Sequence, residues 1–224
     1  MREAVLTPEQ ILDTAEEVLR RFGPAKATVL DVARSLGVSH GSVYRHFPSK
    51  TALRDAVAER FLARVSAPLA TIAAEDGPAP ERLRRWLTQL SAEKRRMARE
   101  DPELFDTFHA IATQAREVVA EHLRNLAAQI TRIIESGILS QEFADTDATA
   151  CGRAVLQATA RFHHPVHAME WADPDLDADY DAVITLILRG LTRSTRSTES
   201  TESTSSSPRS AGPSGSPSSI TPQE

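Results

Sequence analysis

Apolar residues recur along most of this chain at intervals of three and four, the spacing that gathers them on one face of an α-helix. Ile11, Leu12, Ala15, Val18, Leu19 and Phe22 make the first such stripe, behind "TPEQ" at 7–10. There Thr7 can cap, Pro8 suits the first helical position and Gln10 can return the capping bond. "GP" at 23–24 stops the element. A second helix is predicted from Thr28, with Asp31 as its capping partner, to about Leu36, where Gly37 permits a left-handed exit. Ser39 caps a third helix to about Phe47, Pro48 breaks it, and Ser49 caps a longer fourth to about Ala74.

"EDGPAP" at 75–80 is the clearest internal break. Beyond it Leu83, Trp86, Leu87 and Leu90 mark a fifth helix ending before "DP" at 101–102, and Leu104, Phe105, Phe108 and Ile111 mark a short sixth. Val119, Leu123, Leu126, Ile130 and Ile133 give a long seventh up to Gly137. An eighth starts near Asp147, with Cys151, Ala154, Val155, Ala158 and Phe162 on one face; the last carries Tyr180, Val183, Ile184, Ile187, Leu188 and Leu191. No stretch alternates with period two long enough for a strand, and no Asn-Gly or Asp-Gly turn sits between apolar runs. The fold class is therefore all-α. The Ser/Thr/Pro-rich stretch 193–224 holds too little apolar surface to offset its ordering entropy and is expected to be disordered.

Composition agrees: of 224 residues only 9 are glycine and 5% aromatic, while 41% are hydrophobic, enough for an ample core. The formal net charge of −5 argues against a protein that coats nucleic acid along its whole surface. Residues 1–65 nevertheless carry 10 Lys+Arg against 8 Asp+Glu, a mildly basic head on an acidic body. A single cysteine, Cys151, excludes an internal disulfide and suits a reducing compartment. With no apolar run approaching a membrane span and no signal-peptide layout at the N-terminus, a cytoplasmic protein without a membrane partner is expected. Nothing calls for a cofactor.

The candidate chemistry concentrates in "GVSHGSVYRHFPSK", residues 37–50. Two short helices joined by a Gly-containing turn and followed by a polar helix form a helix-turn-helix. Ala33 lets the helices approach, and Val32, Leu36, Val38 and Val43 fill the joint, leaving Ser39, His40, Ser42, Tyr44, Arg45 and His46 outward. These side chains bond phosphates and base edges, unlike the Glu, Lys and Gln of an ordinary exposed helix. Gly41 sits mid-helix at a cost of roughly 1 kcal/mol against alanine, which fits a backbone that must come close to something.

The string "TVLDVARSLGVSHGSVYRHFPSKTALRDAV", with "ILDTAEEVLRRFGPAKATV" before it, resembles the DNA-binding domain of the tetracycline-repressor (TetR) family of bacterial transcriptional regulators. The resemblance runs from Thr7 to about Arg60 and implies roles by position. Thr28, Tyr44, His46 and Lys50 would meet backbone phosphate; Ser39, His40, Gly41, Ser42 and Arg45 would face the bases of double-stranded DNA. It further implies a helix-turn-helix DNA-binding domain at 1–50, a connecting helix and hinge at 51–80, and a helical effector-binding and dimerisation domain at 81–192. A homodimer would form through helices at about 147–163 and 179–192 and bind a palindromic operator.

A small-molecule effector, largely apolar, would enter between the C-terminal helices. Its candidate lining is Trp86, Leu90, Phe105, Phe108, His109, Leu126, Phe162 and Trp171. Such a protein is expected to be a regulator, more specifically a repressor, and not an enzyme. The alternative lies in "FHHPVH": His163, His164 and His167 could hold a transition metal, making a metal-responsive regulator or a metal-dependent hydrolase. Pro165 interrupts the helix that would align His163 with His167, and no second carboxylate or nucleophile signature accompanies them. A third reading, a protein-docking module, keeps the helix-turn-helix without DNA.

Overall fold

The computed structural model describes residues 6–192; the tail expected at 193–224 lies outside the described residues. Among the described residues nine α-helices follow in order: α1 Pro8–Lys26, α2 Val29–Leu36, α3 His40–Tyr44, α4 Lys50–Ala74, α5 Ala79–Glu100, α6 Pro102–Gln114, α7 Arg116–Leu139, α8 Ala148–Ala158 and α9 Leu176–Leu191. Two 3₁₀ segments, Ala160–Phe162 and Pro165–Ala172, link α8 to α9. Among the described residues there is no strand, only an isolated bridge between Phe143 and Thr192.

Local chemistry explains most boundaries. Thr7 and Gln10 form a reciprocal capping box on α1, and Thr28 and Asp31 form another on α2. The α1 span is interrupted at Gly23, whose φ of 72° and ψ of 164° are not helical, so the "GP" stop is a real kink. Gly37, with φ 68°, closes α2 in the left-handed region. Regular α3 is shorter than the pattern suggests, yet the amides of His46 and Phe47 still bond the Val43 carbonyl at 3.0 Å, carrying one tighter turn to the proline. Ser49 caps α4 through the Ala52 amide at 2.9 Å.

The α4–α5 turn is held from a distance. Pro78 offers no side-chain cap, so the Glu142 carboxylate accepts the Ala79 N–H at 3.0 Å. Buried Arg82 donates to the Glu75 carbonyl at 2.7 Å and to Ser136 Oγ, tying the end of α4 to α7.

Two apolar clusters form. One joins α1, α2 and α3 with Leu53, Val57, Ala58, Phe61 and Leu62 of α4 and with Phe108, Ile111 and Ala115. The other gathers Val65, Leu69 and Ala73 of α4 with α5, α7, α8 and α9. The head's core thus runs past residue 50 and draws on α6.

The eighth helix differs from its pattern. It ends at Ala158 and not near 163, because Thr159 turns its hydroxyl onto the Val155 carbonyl at 2.9 Å and the chain tightens into 3₁₀ turns. Its core face is Gly152, Val155 and Leu156; Ala154 and Ala158 are exposed, and Phe162 reaches the core from the 3₁₀ turn. Gly152 has a packing reason. A Cβ there would stand 2.4 Å from Thr131 Oγ1 and 2.9 Å from the Ala127 carbonyl oxygen. Gly152→Ala is therefore expected to cost roughly 1–3 kcal/mol by overpacking, read as a lower urea midpoint at unchanged slope.

Candidate nucleic-acid interface and inner cavity

The three-helix head presents one polar face. Thr28, Ser39, His40, Gly41, Tyr44, Arg45, His46 and Lys50 are all exposed, and Ser42 is partly so. Val43 beneath them is fully buried and anchors the segment, with Phe47 partly buried on the same core. Ser39 Oγ and Ser42 Oγ lie 2.9 Å apart, and Arg45 Nη2 donates to Ser42 Oγ at 3.1 Å, so three neighbouring polar side chains form one hydrogen-bonded row. The His40 and Tyr44 rings meet edge to face at 6.2 Å. Lys50 opens α4 beside this row. A Cβ at Gly41 would meet only Ser39 Oγ, at 3.7 Å, so nothing within the protomer demands a glycine there.

The head is braced against α4 and α6. Arg60 bridges Asp13 at 2.7 Å and Glu16 at 2.8 Å, Arg64 joins Glu16 at 3.0 Å, and Arg54 donates to the Pro24 carbonyl and to Gln114. Phe61 of α4 stacks on Phe108 of α6 with centroids 4.0 Å apart.

Two family models match the chain: "Bacterial regulatory proteins, tetR family" over residues 11–57, and "Tetracyclin repressor-like, C-terminal domain" over residues 79–184. Together they account for more than half of it. The chain belongs to the TetR family.

Relatives of this TetR-family chain include an HTH-type transcriptional regulator of Mycobacterium tuberculosis, 31% identical over 103 residues, which are 46% of this chain and 49% of that one. Another, from Bacillus subtilis, is 41% identical over 54 residues, 24% of this chain and 28% of the relative. The chain thus spans about half or less of the length of the curated relatives it matches. Among solved structures, SmeT, the repressor of the Stenotrophomonas maltophilia multidrug efflux pump SmeDEF, shares the fold with a TM-score of 0.62 and 19% identity, covering 85% of this chain and 92% of that one. FadR from Bacillus subtilis, in complex with stearoyl-CoA, superposes with a TM-score of 0.58 and 20% identity over 83% of this chain and 100% of that one.

The body of this TetR-family protein holds a cavity of about 180 Å³ between α4, α5, α6, α7 and the 3₁₀ linker, open to solvent beside Thr113 and Leu123. Of the eight lining candidates read from the sequence, Leu90, His109 and Leu126 face it. Trp86, Phe105, Phe108, Phe162 and Trp171 do not line it: all are buried, Phe105 against Trp171 and Phe162 against Tyr180, and Trp86 bonds Gln129. Residues not singled out from the sequence complete the wall, above all Lys94, His122 and Leu123. Leu62 and His122 also border an outer groove of about 450 Å³ that carries Glu59, Glu117 and Glu121.

The histidine cluster is dispersed among separate partners. His163 is buried, its Nε2 lying 3.3 Å from both the Leu156 carbonyl oxygen and Thr159 Oγ1. His164 Nδ1 accepts the Val166 amide, and His167 Nδ1 pairs with Glu170 at 2.7 Å. Among the described residues no group of three or more His, Cys, Asp or Glu side chains is placed to hold a metal ion.

Burial dominates the cavity's titration. It holds His163 at about 4 and His122 at about 3, the latter also repelled by Lys94 and His163, and lowers Lys94 to about 8. Both rings are thus neutral and Lys94 mostly cationic at neutral pH. Since both histidines bind protons more tightly when unfolded, near 6.5, their contribution to stability is complete above that value and shrinks as pH falls below it. Urea unfolding at pH 5 is expected to show a loss on the order of 2 kcal/mol per buried histidine relative to pH 7, reduced in His122→Gln.

Proposed function

We propose that the protein is a homodimeric, DNA-binding transcriptional regulator of the cytoplasm, a repressor that leaves a palindromic operator when a small molecule fills its inner cavity. The observation that carries this reading is the exposed row from Ser39 to Lys50, raised on capped helices over a buried Val43, with no close packing at Gly41. Arg45, held by Ser42, reads a base edge; Thr28, Tyr44, His46 and Lys50 take phosphates; His40 and Ser39 flank the reading surface. At Gly41 the backbone meets the floor of the major groove. Thus the protein acts by binding, with no catalytic step.

Dimerisation is supported by apolar surface on the last two helices. Their ends meet: Arg161, just past α8, pairs with Asp179 at 2.8 Å, and the Ala144 amide, just before α8, bonds the Leu191 carbonyl at 2.8 Å. So α8 and α9 run antiparallel. Exposed on them are Ala154, Ala158, Ala182, Gly190 and Leu186, the last 72% exposed, and Met169 in the linker is 94% exposed. A second copy covering this face places two heads on successive major grooves, about 34–36 Å apart. SmeT is described as a repressor and FadR as a regulator in complex with stearoyl-CoA, which supports reading this chain as a repressor with a ligand site. No helix among the described residues is long and apolar enough to cross a membrane.

Gly41→Ala separates the roles: it is expected to leave stability unchanged or raised by up to about 1 kcal/mol, while weakening operator binding in an electrophoretic shift assay. Retained affinity would remove the groove-floor role. Lys50→Ala should weaken all duplexes alike and reduce the slope of log affinity against log salt by about one unit. Leu186→Glu is expected to yield monomers in sedimentation and a parallel loss of operator affinity; dimers that persist would move the interface elsewhere.

A further inference from the structure

Lys94 is the feature of the cavity that its apolar packing does not explain. The residue is 6% exposed, lines the chamber, and has no carboxylate within ion-pair distance among the described residues. Its neighbour Glu93 is already engaged, both oxygens taking the Arg96 guanidinium at 3.0 and 2.6 Å. The carboxylates of Glu59, Glu117 and Glu121 belong to the outer groove. What compensation exists is the more distant charge of Glu93, already shared with Arg96, and the face of Phe61, 5.9 Å from Nζ. A buried ammonium without an anion is costly, and that cost is recovered when an anion arrives.

The rest of the wall limits what can bring that anion. Leu62, Leu90, Val119, Leu123 and Leu126 make most of it apolar. His122 also borders the chamber and makes no hydrogen bond among the described residues, so its neutral ring keeps an N–H to donate. A cavity of about 180 Å³ compares with those that admit a single benzene ring.

We propose that the cavity binds a small amphipathic acid, one carboxylate on a ring-sized apolar body, with the carboxylate seated against Lys94 and accepting a hydrogen bond from His122. This rests on the reading of the cavity as an effector site and names the class of effector. Neutral isosteres of the same shape lose the ion pair, and cationic ones meet Lys94 directly.

Calorimetric titration of the full chain at pH 7, without DNA, tests this with three probes of one shape: benzoate, benzamide and benzylamine. Benzoate is expected to bind about tenfold or more tightly than benzamide, with benzylamine weakest. Lys94→Met keeps the side chain's length, removes the buried charge and should abolish the preference for the acid. Ala112→Phe fills the chamber and should lower benzoate affinity by about tenfold or more. Equal affinity for acid and amide, a preference surviving in Lys94→Met, benzoate binding unchanged in Ala112→Phe, or no benzoate binding at all would each overturn the assignment. None of these results touches DNA recognition, which the shift assay reads separately. Benzoate that binds with the Lys94 dependence but releases no operator sustains the carboxylate site and overturns release by cavity filling.

Discussion

Helix α4 belongs to two cores at once, and the rest of the structure depends on that sharing. Its first half, Leu53 to Leu62, completes the head, and Val65, Leu69 and Ala73 complete the body, with no break in the helix between them. The Phe61–Phe108 stack sits at the crossing, and Leu62 beside it forms part of the cavity wall. A close-packed interior transmits displacement rather than absorbing it. A molecule that presses on Leu62 therefore presses on the same rigid rod that begins at Lys50. Arg60 and Arg64, paired with Asp13 and Glu16, link that rod to α1. Coupling of this kind needs a second stable arrangement of the rod, which ligand and DNA would favour in opposite senses.

Much of the head was legible because its determinants are local. The Thr7–Gln10 and Thr28–Asp31 boxes, the left-handed Gly37 and the Ser39 and Ser49 caps are settled within a few residues of sequence, and the structure has them where the spacing put them. The polar row on α3 was readable for the same reason: only Val43 and Phe47 in that stretch have anywhere apolar to go. At the eighth helix the same logic failed. Apolar residues continue at helical spacing to Phe162, but the Thr159 hydroxyl competes for the backbone carbonyls, a choice that periodicity does not register.

The cavity was the least legible part. Aromatic residues drew attention as lining, yet large rings are what fills space, and Trp86, Phe105, Phe108, Phe162 and Trp171 went into packed positions. A chamber appears where packing is left short, at Ala112, Thr113 and Val119. In "SAEKRRMARE" Lys94 reads as one more solvent-facing charge among five basic and acidic neighbours, and only the tertiary fold turns it inward. The alternating acids from 173 to 181 likewise find their partners only in the fold. Several meet arginines of the body: Asp177 meets Arg95, Asp181 meets Arg84, and Asp173 and Asp179 meet Arg161. Exposed pairs of this kind contribute little energy; two of them, Asp177–Arg95 and Asp181–Arg84, join α9 to α5.

Gly152 has a consequence for how the two sides of the body communicate. With no room for even a methyl group where α8 crosses α7, the two helices lie tight together and are expected to move as a single plank. One surface of that plank is chamber wall, through Leu123 and Leu126; the other bears the bare alanines at 154 and 158. A displacement of α7 at the chamber is thus expected to reach the outer face of α8.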